Sequence, residues 1–125
     1  MKKAAILVSG ILALGFVSAA QANPVPKPSR DYAGNYKTLV EDQKATPQVA
    51  RCVASGYDLA SGGHDYDRLG FTEQDIAAAK ISGTNVSVSG QGRKKSDGIT
   101  WVDITVQCTE NADKLTAIEI VTGRP

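Results

Sequence analysis

The 125-residue sequence holds one histidine, two cysteines and one tryptophan, and neither charge sign predominates. One imidazole without free thiol partners leaves a transition-metal site poorly furnished, so no metal and no cofactor is expected. Lys+Arg number 14 against 13 Asp+Glu. Such a chain lacks the basic excess that neutralises phosphates or anionic lipid, which argues against nucleic-acid binding and against a polybasic membrane contact. No apolar run approaches the roughly 20 residues that cross a bilayer, so membrane insertion is not expected.

What is present starts at the N-terminus. Lys2 and Lys3 precede an apolar run over residues 4–17 that is broken only by Ser9, Gly10 and Gly15, and Ala20-Gln21-Ala22 follows. A positive end, a short apolar core and small residues flanking a cut make residues 1–22 a cleavable secretory signal peptide. Asn23-Pro24-Val25 after the cut offers no cysteine for a lipid anchor. Loss of Lys2 and Lys3 leaves 12 basic against 13 acidic side chains. A periplasmic protein is expected, or alternatively a secreted one, and in an oxidising compartment Cys52 and Cys108 should pair.

Residues 23–31 carry proline at 24, 26 and 28 and read as a Pro-rich spacer before a single domain over residues 32–125. Tyr36, Leu39 and Val40 suit a short helix within the otherwise poorly legible residues 32–45. Thr46-Pro47 is a stronger signal, an N-cap followed by a first-turn proline, and Val49, Cys52 and Val53 then share a face, which predicts a helix over 47–58. A short second helix starts at Thr72, with Phe71 stapling against Ile76. From residue 84 the period becomes two, and strands are predicted over 84–89, 99–109 and 115–122. Val102, Ile104, Val106 and Cys108 fall on one face of the middle strand. The expected architecture is α+β: a small single domain with an N-terminal helix, plus the short second helix, packed on a three- to four-stranded antiparallel sheet and joined to it by one helix-to-strand disulfide.

Three places could carry function. Residues 55–68 hold His64 among Asp58, Asp65, Asp67, Tyr57 and Tyr66. They read as a solvated, glycine-softened loop, with partner contact through Tyr57, His64 and Tyr66 as the functional alternative. His64 as general base for Ser55 or Ser61, or as a metal ligand with Asp65 and Asp67, is a further reading. Residues 89–98 read as a strand connection carrying Arg93, Lys94 and Lys95, which either keep the sheet soluble or dock an acidic partner. Trp101, on the face opposite Cys108, is expected beneath Tyr32 and Tyr36, or else exposed as an anchor.

Ser55-Gly56-Tyr57 and Ser61-Gly62-Gly63-His64 resemble, over those few residues, the serine-glycine-tyrosine loops of bacterial lysozyme inhibitors, which are also small exported proteins. The cysteine-bearing run Thr105-Val106-Gln107-Cys108 lacks an aromatic before the cysteine, and the leading helix departs from a pure β-barrel. The resemblance therefore does not assign the chain to that family.

The functional expectation is a non-enzymatic binding or accessory protein of the bacterial envelope, of inhibitor or immunity type, whose partner is another envelope or secreted protein. The alternatives are a small periplasmic hydrolase or metal-dependent enzyme centred on His64, and a structural envelope protein without a tight ligand.

Overall fold

A computed structural model describes residues 24–125; the signal-peptide expectation for residues 1–22 lies outside them. Three helices and five strands follow in the order α1 (Tyr32–Glu41), α2 (Pro47–Ser61), β1 (Tyr66–Gly70), α3 (Glu73–Ala77), β2 (Lys80–Ser82), β3 (Asn85–Lys94), β4 (Trp101–Asn111) and β5 (Lys114–Thr122). The sheet is antiparallel in the order β1-β3-β4-β5, with β2 pairing beside β1 on the same edge of β3. The expected α+β architecture is the one observed, although α1 is a full helix and the sheet gains two short strands.

Helix α2 begins as its sequence dictates: the Thr46 side chain accepts a hydrogen bond from the Val49 N–H, and proline occupies the first turn. It runs three residues beyond the expected end, to Ser61, where Gly62 caps it. A Cβ on Gly56 would lie 3.3 Å from Leu69 Cδ1 and 3.4 Å from Val106 Cγ2, so the glycine lets the helix settle close to the sheet. Val49, Cys52 and Val53 are buried against Val86, Val88, Ile104, Val106, Ile118 and Ile120. Cys52 and Cys108 form a disulfide with Cα atoms 5.8 Å apart. Next to it, Arg51 donates two hydrogen bonds to the buried Glu110 carboxylate, at 3.1 and 2.9 Å. Covalent bond and ion pair join the same stretch of α2 to the same end of β4.

Helix α3 carries a capping box in which Thr72 and Asp75 each bond the other's backbone N–H at 3.0 Å. Residues 24–31 have no regular structure, as their prolines require, but they are not a free spacer. Val25 packs against the core, and Ser29 donates from N–H and Oγ to the Asp58 carboxylate at 3.0 and 2.6 Å. At the other terminus Arg124 reaches Asp75, Asp103 and the Gly90 carbonyl, tying the chain end to α3, β4 and β3.

Candidate functional site

The predicted 55–68 loop does not exist as such. Ser55, Gly56, Tyr57 and Asp58 belong to α2, and residues 66–70 form β1. This also removes the likeness to a serine-glycine-tyrosine loop, since Ser55-Gly56-Tyr57 is buried or half-buried helix. Tyr57 meets Phe71 edge-on with ring centroids 6.0 Å apart, and burial pushes its phenol above the ordinary value. Tyr66 is buried and its hydroxyl pairs with Thr122 Oγ1. Both tyrosines hold the domain together from inside.

The predicted 89–98 connection is also shorter, because β3 continues through Lys94. Gly90 and Gly92 are there for close approach. A Cβ on Gly90 would come within 2.4 Å of Phe71 Cδ1 and 2.6 Å of the Gly70 carbonyl, and one on Gly92 within 3.0 Å of Tyr66 Cδ1. The true turn is residues 95–100. Asp97 organises it by accepting from the Ile99 N–H at 2.8 Å, the Thr100 N–H at 2.9 Å and the Thr100 hydroxyl at 2.5 Å. Those bonds, led by the Thr100 hydroxyl, hold the Asp97 carboxyl down at about 2. Gly98 supplies the positive φ of 64°, and its N–H closes onto the Lys94 carbonyl at 2.8 Å.

This fixed turn presents Ile99 at 76% exposure and Trp101 at 44%. Burial of Trp101 beneath Tyr32 and Tyr36 is not observed. Those two rings stack on one another at 6.3 Å on α1, which packs against α2 on the covered side of the sheet, whereas Trp101 lies on the opposite face. A Cβ on Gly70 would lie 3.6 Å from Trp101 Cζ3, so the indole extends across β3 toward the β1 backbone.

Arg93 is directly opposite Trp101 on β4 and directly opposite Arg68 on β1, which places Arg68, Arg93 and Trp101 in one row on the face away from α2. Asp67 sits at the register shift in β1 and takes the Arg93 guanidinium in two hydrogen bonds, at 2.8 and 3.1 Å. That contact lowers the Asp67 carboxyl below its usual range. Arg68 itself is exposed and belongs to none of the ion pairs among the described residues. No sequence signal marked Arg68, because its place beside Arg93 depends on a strand the alternation did not show.

Lys94 and Lys95 follow at the same end of the hairpin, next to His64. With Gly63, Asp65, Tyr66 and Ser96 they line an open recess of about 610 Å³. The Lys95 N–H donates to the Asp65 carbonyl at 3.0 Å, and His64 stacks on Tyr66 at 5.9 Å. His64 Nδ1 is buried without a hydrogen-bond partner. Of the two serines that could serve as its nucleophile, Ser55 is buried in α2, and Ser61 Oγ donates to the Asp58 carbonyl at 3.2 Å. Among the described residues no three His, Cys, Asp or Glu side chains gather as a metal site requires, and no helix is long and apolar enough to cross a membrane.

A second cleft, about 530 Å³, opens between α1, α2 and β1, with Asp58, Asn35 and Arg68 on its walls. No protein-family model, no curated protein and no solved structure matches the chain.

Proposed function

We propose that the protein is an exported, non-enzymatic binding module of the bacterial envelope, periplasmic or secreted, that acts as an inhibitor, immunity-type or accessory protein by contact with a protein partner. The observation that carries this reading is the pair Ile99 and Trp101, exposed on and directly after a turn that Asp97 fixes in place. A large apolar anchor on a rigid support loses little conformational freedom on docking, which is where interface energy concentrates. The disulfide supports the same reading, since a domain of this size working outside the cytoplasm gains from a cross-link.

The competing reading, a hydrolase centred on His64, draws on the unpartnered Nδ1 beside the Lys94 and Lys95 recess. The two separate cleanly by mutation. With the oxidised protein immobilised and an envelope extract passed over it, Trp101→Ala abolishes retention of the partner and His64→Ala leaves it intact. Turnover that disappears with His64→Ala and survives Trp101→Ala supports the enzyme instead. Indifference to both changes supports a structural envelope protein without a tight ligand.

A further inference from the structure

We propose that the end of the β3–β4 hairpin receives an acidic segment of a partner protein, which rests an apolar side chain on Ile99 and Trp101 and sets carboxylates against Arg68, Lys94 and Lys95. The inference rests on the binding reading above and adds the chemistry of the partner.

Its basis is an unresolved charge conflict. Arg68 and Arg93 stand directly opposite one another on adjacent strands, an arrangement that repels. Asp67 hydrogen-bonds Arg93 and offsets Arg68 only through space, so Arg68 makes no ion pair of its own. Lys94 and Lys95 are exposed and likewise outside every ion pair among the described residues.

The carboxylates on β1 and the hairpin are mostly committed. Asp67 serves Arg93, Asp97 serves its own turn, and Asp103 pairs with Arg124 at 3.1 Å. Asp65 lies beside Lys94 and Lys95 in the recess, and Arg68, Lys94 and Lys95 belong to none of the ion pairs among the described residues. A guanidinium offers five donors and no acceptor, and an ammonium offers three, so the complementary group is an acceptor-only anion, of which carboxylate is the one proteins carry. A local arrangement that costs stability and sits beside an exposed tryptophan is where function is expected to reside. The choice of a protein segment over an acidic polysaccharide follows from Ile99, an aliphatic side chain exposed to 76% that matches a peptide side chain better than a hydroxylated sugar.

The test uses the oxidised protein and three polymers: a random glutamate–tyrosine copolymer, polyglutamate, and polygalacturonate as the acidic glycan. The copolymer should bind at least tenfold tighter than polyglutamate, and more weakly as salt rises. Trp101→Ala should remove the tenfold advantage, while Arg68→Gln and the double change Lys94→Gln/Lys95→Gln should weaken both polypeptides and flatten the salt dependence. Unchanged circular dichroism and thermal midpoint would show that the variants are folded. Absence of copolymer binding, binding indifferent to these changes, or tighter binding of polygalacturonate overturns the proposal. If the copolymer fails while Trp101-dependent capture from an extract persists without salt sensitivity, the acidic partner is wrong and the binding reading stands; if that capture fails too, both fall.

Discussion

At the scale of single residues, two positions in the hairpin carry consequences out of proportion to their size. Gly90 lies where Phe71 and the Gly70 backbone press on β3, and backbone cannot swing aside as a long side chain can. Gly90→Ala should therefore destabilise the domain by about 2 kcal/mol through overpacking, measured by chemical unfolding. Asp97 acts through charge. Its carboxyl is held at about 2 in the folded protein against roughly 3.9 in an unfolded chain, so its ionised form favours the folded turn above pH about 4, and that preference fades as pH falls through about 2. Amide exchange at Ile99 and Thr100 should accelerate over that window beyond the intrinsic trend, and Asp97→Asn should flatten the response.

At the scale of elements, what the sequence made legible was whatever carried an unbroken period or a strong terminal signal. Thr46-Pro47 marked the start of α2, Thr72 marked α3, and the alternation through Ile104, Val106 and Cys108 marked β4 and its buried face. The short strands were hidden for physical reasons. In β1 the register shift between Tyr66 and Arg68 breaks the alternation, and β2 is three exposed residues with no buried face to betray it. The glycines of β3 imitate a turn, although their purpose is to admit Phe71 and Tyr66. The candidate site suffered from the same blind spots. Trp101, Arg93, Lys94 and Lys95 could be named from the sequence, but Arg68 and the burial of Tyr57 and Tyr66 follow from strand β1 and from the longer α2.

The junction of α2 with β4 also makes its own prediction at this scale. Glu110 is only 7% exposed and depends on Arg51, so Arg51→Met should leave a buried, unpaired carboxylate and cost about 3 kcal/mol, read from denaturant unfolding. Arg51→Met/Glu110→Leu should recover most of that loss, because two apolar groups do not require each other as two charges do.

At the scale of the whole molecule, a helix laid across a sheet is joined to it by a disulfide whose sulfurs sit in the core. Cys52 and Cys108 are 0% and 2% exposed, which identifies the bond as a staple. It spans a sequence separation of 56, for which the chain-entropy relation gives about 4 kcal/mol. Cys52→Ser should lower the thermal midpoint by on the order of 10 °C or more, and an unchanged midpoint would show that the core alone supplies the stability. The same rigidity keeps the opposite face of the sheet in place while α1 and α2 fill the first; Thr105 on that opposite face is itself buried under Gly123. The functional reading depends on that division: one face buried and cross-linked, the other offering the row of Arg68, Arg93 and Trp101.

Trp101 is the only tryptophan in the chain, so its fluorescence reports on that face without interference. In the free protein its emission should be that of a wet indole and readily quenched by iodide. Addition of the glutamate–tyrosine copolymer, or of a partner captured from an envelope extract, should shift the emission to the blue and protect it from quenching. Binding that leaves both emission and quenching unchanged would place the contact elsewhere on the molecule and contradict the assignment of the Trp101 face as the interface.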